Sequence, residues 1–288
     1  MTNSFFQQLF NQMCSQGFFS SDEFFAGLLH ILTAIGVPIH LFGAYMILTK
    51  TPQKMQSVKS NMLLLHCAGA FLDVWFTFIA IPVITIPGCS GYFLGVTVSL
   101  GIPTVVQSYL CISFTGALAV TVLLFFEDRY NRLVKNGKVN WKRPIYVMMH
   151  YTFAIVFPIP GYLNIPEQVS AKVVHKQNIP CIPSDVINRP DYFVLTISDK
   201  TIIYCIFSVT ILVLSQGFFF TGCIFWHLFH INPVSQNTVR LQKQFFLALC
   251  IQIMAPLILL SIPVFYIVFA IHFDYYNQAA TNIALATI

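Results

Sequence analysis

Charge is what this sequence has least of. Asp, Glu, Lys and Arg make up 9% of its 288 residues, against about 25% in a soluble domain. Water does not solvate so sparsely charged a surface, whereas in lipid apolar side chains need no cover. The mean hydropathy of +0.74 and the 29 Phe point the same way. Lys and Arg are missing from the whole stretch before Lys50. That excludes a typical secretory signal, which opens with basic residues, and the first apolar helix must act as its own insertion signal. No Cys-x-x-C pair occurs among the eight cysteines, so a zinc or redox motif is not expected. His-Glu-x-x-His is absent, Asp73 has no second carboxylate inside an apolar run, and no Lys lies inside one. These gaps exclude a zinc protease, an intramembrane aspartyl protease and a retinal protein. No enzyme, metal site or cofactor is expected. The net charge of +5 is not gathered into a face, so nucleic acid is not an expected partner. Asn-x-Ser/Thr is also absent, and glycosylation gives no help with topology.

What the sequence does have is long apolar runs, at about 24–49, 60–86, 101–126, 144–165, 201–229, 245–271 and 275–288. A spanning helix needs about 20 such residues. Barrel strands alternate over about ten residues, so a β-barrel is not expected. The chain reads as an all-α membrane protein, a seven-transmembrane helix bundle of rhodopsin-like topology. Residues 1–23 form an N-terminal segment and 24–288 one membrane domain. The segment 166–200 reads as a long polar connection. Eleven of the 15 Lys and Arg residues fall in the loops after helices one, three and five. By the positive-inside rule those loops are cytoplasmic and the N-terminus is extracellular.

Local motifs add to this topology. Helix one ends in Gly43-Ala-Tyr-Met-Ile-Leu-Thr-Lys-Thr-Pro-Gln-Lys-Met55, followed by Val58-Lys59. Helix six opens Leu241-Gln-Lys-Gln-Phe-Phe-Leu-Ala-Leu-Cys-Ile-Gln252 and continues through Pro256 to Ile262-Pro263. Tyr275-Tyr-Asn-Gln278 leads into helix seven. Together these stretches resemble the nematode serpentine chemoreceptors of class H, with the sister class I a near alternative. The Thr-Pro-x-x-Met-x-x-Val-Lys stretch is the most specific part. The resemblance implies a G-protein-coupled receptor for an odorant or other small molecule. It also implies the plasma membrane of sensory neurons, in their cilia, with a heterotrimeric G protein, a small-molecule ligand and membrane lipid as partners. A transporter is the rival reading, but no repeated halves of the kind transporters show are visible.

Within this frame Glu127-Asp128-Arg129-Tyr130 is similar to the acid-Arg-Tyr motif of rhodopsin-type receptors. There an adjacent carboxylate holds the Arg at rest, and release lets it meet the G protein. Lys59 and Lys243, with Lys54 and Arg240, are expected on the same inner surface, where lipid headgroups compete for them. Asp73 is similar to the second-helix acid of those receptors, and a charge at membrane depth is expected to face the bundle interior. Gln107, Tyr204 and Tyr266 are expected to line an outward-opening ligand cavity. Cys89 and Cys181 both fall on the oxidising side and are expected to bond, as in many receptors, with Cys14 a competing partner. Pro256 and Pro263 break the backbone ladder of helix six, as a hinge or as a static kink.

The stretch 275–288 covers about 21 Å of helix, short of the roughly 30 Å hydrocarbon layer. Members of the resembled family continue into a cytoplasmic tail. The seventh helix therefore reads as truncated, and the expectation is of an incomplete chain or a non-signalling receptor product.

Overall fold

A computed structural model describes residues 17–51, 56–135, 141–197, 201–230 and 262–287, together with 240, 243, 244, 247, 250 and 251 of helix six. Five helices in these residues are long and apolar enough to cross a membrane: Asp22–Lys50, Val58–Ile79, Thr104–Leu133, Lys142–Leu163 and Tyr204–His230. A shorter apolar helix at Ile262–His272 belongs to helix six, and Gln278–Ala286 forms helix seven.

Helix one starts where the sequence provides a cap. The Ser21 hydroxyl accepts from the Phe24 backbone N–H at 3.3 Å, and Asp22 and Glu23 occupy the first turn, where carboxylates meet the positive end of the helix dipole. Helix two ends differently. Its last turn, Trp75–Ile79, is π-helical, and Ile81, with φ of 48°, swings the chain out of the helix axis. The run expected to continue helical to residue 86 instead forms strand β1, Pro82–Thr85, which pairs antiparallel with β2, Ser90–Phe93. A third strand, β3 (Phe193–Val194), pairs with β2. Among the described residues this small sheet is the one departure from an all-helical bundle. Helix four bends after Val156 and resumes at Ile159, as Pro158 and Pro160 require.

Helix three is the centre of the bundle, packed against helices two, four and five. It runs from Thr104 to Leu133, seven residues past the expected limit at 126. Its added turns are polar but paired, since Arg132 donates Nε to Asp128 Oδ2 at 2.7 Å, one helical turn back. Charges satisfied along the helix need not end it.

The connection expected as a polar loop is folded. A lid helix, Gln168–Asn178, a short helix, Ser184–Ile187, and β3 pack on the β1–β2 hairpin. Their core buries Phe25 and Leu29 of helix one with Ile81, Val83, Tyr92, Ala171, Ile182 and Val194. The molecule therefore has a lid end and, opposite it along helices two, three and five, a basic end. The basic end is packed around Phe125, Phe126, Ile224, Leu228 and Cys250.

The disulfide expectation is corrected. Cys181 is disulfide-bonded, but Cys89 is not in a disulfide. Cys89 sits at the hairpin tip with φ of 45°. Its side chain packs with Ile86, Ala270 and Ile271 of the helix-six cluster, whereas Cys181 lies between Ile179 and Ile182 of the lid core. Cys14 lies outside the described residues, as do Lys54 and Pro256.

Candidate functional site

At the basic end the four residues 127–130 lie in the last two turns of helix three, and a fifth, Arg143 at the start of helix four, joins them. Asp128 is 2% exposed, and both its oxygens are engaged. Oδ2 accepts from Arg132, and Oδ1 accepts from Arg143 Nη2 at 2.6 Å. Arg143 also donates Nε to Glu127 Oε2 at 3.0 Å. One guanidinium thus bridges both carboxylates, the geometry to which its planar fork is suited. Arg129 is buried, with its guanidinium 5.3 Å above the Phe125 ring. Tyr130 lies 5.5 Å from Phe220 of helix five. Lys59 donates to the Leu48 carbonyl at 2.6 Å and so closes the end of helix one. Lys243 lies 4.5 Å over the Phe229 ring. The structure brings Glu127, Asp128, Arg129 and Tyr130 together, while Lys59 and Lys243 are each engaged elsewhere on helices one and five.

Asp73 departs from its expectation. Its Oδ2 lies 2.7 Å from His40 Nε2, and the two side chains are 48% and 25% exposed. The carboxylate is shared between helices one and two rather than enclosed by the bundle. The same seam holds a Thr33–Thr77 hydroxyl pair at 2.7 Å and His66 against the His40 carbonyl at 2.8 Å. Intramembrane polar groups pair with one another because lipid offers no partner, and here the partners were available on helix one.

The three expected ligand residues separate. Gln107 is 1% exposed. Its Nε2 donates to the Ile102 carbonyl at 2.7 Å and its Oε1 accepts from Thr97 at 2.5 Å, so its amide holds the turn into helix three. Tyr204 is 53% exposed on helix five. Tyr266 meets the Thr281 hydroxyl of helix seven at 3.0 Å. Around that contact helix seven presents buried Gln278, Thr281 and Asn282. Gln278 Nε2 donates to the Ile84 carbonyl and to Asn282 Oδ1. The backbone carbonyl fixes which way the amide points, and Oε1 is buried with no hydrogen bond among the described residues. These three residues were missed. The signal for them was polar residues one turn apart in an otherwise apolar segment.

The lid closes the other end with two polar knots. In the first, Ser90 Oγ meets Thr85 Oγ1, the Tyr192 hydroxyl and His175 Nε2 at 2.6, 2.8 and 2.9 Å. Burial pushes His175 down to about 4, so the ring is neutral. In the second, Arg189 donates to Asp22 at 2.9 Å and to both oxygens of Asp191, and lies 4.2 Å above Tyr92. The Tyr92 hydroxyl donates to Asp22 at 2.5 Å. Burial and this bond raise the Tyr92 hydroxyl above its ordinary value, while the Asp191 hydrogen bond raises Arg189. Asp22 opens helix one, so this knot ties the lid to the bundle.

A helical membrane bundle with an acid-Arg-Tyr cluster ending its central helix is the architecture of a seven-transmembrane receptor. The family model that matches is the serpentine type 7TM GPCR chemoreceptor Srh, over residues 20–288. The chain belongs to that family, which settles class H over class I. A Caenorhabditis elegans protein described as serpentine receptor class H-72 is 27% identical over 252 residues, covering 85% of this chain and 73% of that one. No solved structure matches. The family is one of receptors, not of enzymes.

Proposed function

We propose that this receptor binds a small molecule at its lid end and activates a heterotrimeric G protein at its basic end. In this reading the N-terminus and lid are extracellular, and the chain resides in the plasma membrane of sensory cilia. The Lys and Arg asymmetry supports the orientation, and family membership supports the chemosensory role. The observation that carries the reading is Arg129. A guanidinium at the inner end of the central helix, beside an ion-paired acid and over a ring of the helix three–five–six cluster, is costly to bury. It is suited to a group that changes partner when the bundle opens. On the ligand side, Tyr266 with the helix-seven face of Gln278, Thr281 and Asn282 supplies polar groups among Ile84, Ile86 and Ile271. Such a lining favours a small apolar molecule with one hydrogen-bond donor for Gln278 Oε1.

The test expresses the chain in cells with a calcium reporter and applies an odorant panel. Arg129→Ala is expected to lower the maximal response at least about tenfold at matched surface expression, the loss of roughly 1.4 kcal/mol of coupling. An undiminished response would reduce the motif to a helix end.

A further inference from the structure

We propose that Asn282 sets the ligand chemistry of the Gln278 site. By engaging the second amide N–H of Gln278 it leaves that side chain an acceptor only. The site then selects apolar molecules that carry a hydroxyl over ketones and ethers of the same size. This assignment rests on the ligand reading above and not on G-protein coupling.

Gln278 is the first residue of helix seven and is 8% exposed. Its amide nitrogen lies 3.1 Å from the Ile84 carbonyl of β1. A carbonyl only accepts, so the nitrogen faces β1 and the orientation of the amide is fixed. The same nitrogen lies 2.9 Å from the amide of Asn282, one turn further along the helix and 3% exposed. Because the Gln278 nitrogen donates, the Asn282 atom facing it is the oxygen, and the Asn282 nitrogen is turned away. A carboxamide nitrogen has two N–H donors, and both are now used. The lone pairs of Oε1 have no hydrogen bond among the described residues. An acceptor buried in this way costs stability until a donor reaches it, and a ligand can bring that donor.

The surroundings narrow the ligand. Ile84 and Tyr266 pack against Ile86, Ala270 and Ile271, an apolar cluster. The Thr281 hydroxyl donates to the Asn277 carbonyl at 2.9 Å. Tyr266 then donates to the Thr281 oxygen at 3.0 Å or to the same carbonyl at 3.2 Å, so neither hydroxyl keeps a hydrogen to offer. These groups carry no charge, and an ammonium among them would be buried without a counter-charge. A neutral hydroxyl on a hydrocarbon body suits both the cluster and Oε1. A ketone or ether oxygen in its place sets lone pair against lone pair and leaves Oε1 unpaired, the case in which a buried polar site discriminates well. Without Asn282, one Gln278 N–H is released beside Oε1. The amide then offers a donor as well as an acceptor, and the discrimination falls.

The test titrates the full chain in lipid nanodiscs with straight-chain alcohols of about six to ten carbons, and with methyl ketones and methyl ethers of equal length, a size within ordinary ligand pockets. Binding is read as a saturable rise in the thermal unfolding midpoint. The best alcohol is expected to bind at least about tenfold tighter than its ketone and its ether, the worth of one buried hydrogen bond. Gln278→Met keeps the length, removes the acceptor and should bring the three within about threefold of one another. Asn282→Leu should narrow the ratio from the other side, by tightening the ketone at least about threefold. A merely structural Asn282 would weaken alcohol and ketone alike and keep their ratio. No saturable alcohol binding, no preference in wild type, or a wild-type ratio in Asn282→Leu overturns the proposal. Where Asn282→Leu does not fold, Asn282→Ala decides in its place. Alcohol-selective binding with no calcium response in cells would uphold this inference and remove the coupling reading. A calcium response to a ligand that is indifferent to Gln278→Met would keep that reading and overturn this inference.

Discussion

The two ends of this bundle are held by different chemistry. The lid end is joined by buried strands, an apolar core and neutral hydrogen bonds centred on Ser90, and an ion-paired knot of Arg189 with Asp22 and Asp191 ties it to helix one. The basic end is joined by ion pairs in which one arginine is shared by two carboxylates. Neutral hydrogen bonds with fixed donors and acceptors have one good arrangement, and changing one partner leaves a buried group unsatisfied. Ion pairs within reach of several charges have alternatives of similar energy. The Ser90 network of the lid is thus built to keep one geometry, and the ion pairs of the basic end to exchange one set of partners for another.

The largest expected effect comes from breaking the lid where it is tightest. Gly88 lies in the hairpin turn, and a Cβ there would stand 1.5 Å from His175 Cε1. The ring cannot retreat without giving up Ser90. Gly88→Ala is expected to cost about 3 kcal/mol, at the upper end of overpacking. It should show as a loss of surface expression and a lower midpoint in thermal unfolding of purified receptor. An unchanged midpoint would mean that the lid is looser than its hydrogen bonds indicate.

A smaller effect follows from acid. His175 titrates near 4 in the folded lid, against 6.5 as the ordinary value. Above pH 6.5 the ring is neutral whether the lid is folded or open, and the full stability is present. As pH falls below 6.5 the open lid takes up a proton that the folded lid refuses, and stability is lost progressively until pH passes 4. At pH 5 the loss is about 2 kcal/mol, from 1.36 kcal/mol per unit. Hydrogen exchange in the 168–178 lid helix should accelerate between pH 7 and pH 5 after correction for intrinsic rates. His175→Gln should abolish the acceleration. The basic end, with no histidine in its ion pairs, should show no matching step.

The sequence was easier to read at the basic end than at the lid. Seven apolar runs and the Lys and Arg asymmetry outline a membrane bundle because lipid imposes length and composition on each segment separately. The acid-Arg-Tyr cluster is legible because its letters are contiguous. Nothing local marks Arg143 among the basic loop residues, since its contacts depend on helix four returning beside helix three. At the lid, the apolar stretch through Ile86 looked like more of helix two. A short apolar run is consistent with either a buried strand or a helix. What decides it is the cover supplied by Ala171, Ile182 and Val194, about 90–110 residues later in the chain. The Cys89 expectation failed for the same reason: hairpin geometry aims that side chain at helix six, and nothing local in the sequence records the turn. Asp73 stands out in the sequence as an acid inside an apolar run, but nothing local marks His40, 33 residues earlier, as its partner.

The smallest expected effect is the one that separates the two ends most directly, because it uses salt. The Glu127 and Arg143 side chains are 13% and 33% exposed, so their attraction is partly open to mobile ions. At 1 M ionic strength the screening length falls to about 3 Å, comparable with the pair's own separation. Glu127→Gln should therefore lower stability by about 0.5–1 kcal/mol at low salt, the range for pairs of this exposure, and by little at 1 M. Thr85→Val removes a hydroxyl bonded to Ser90 and Tyr192. Its cost, about 1 kcal/mol, involves no net charge and should be equal at both salt concentrations. Measuring both variants and wild type at 0.05 and 1 M NaCl cancels the effect of salt on the bundle as a whole, leaving one difference for each end. A Glu127→Gln penalty that survives 1 M salt would place that pair beyond the reach of ions. The basic end would then be as fixed as the lid, and the contrast on which a switching role depends would be lost.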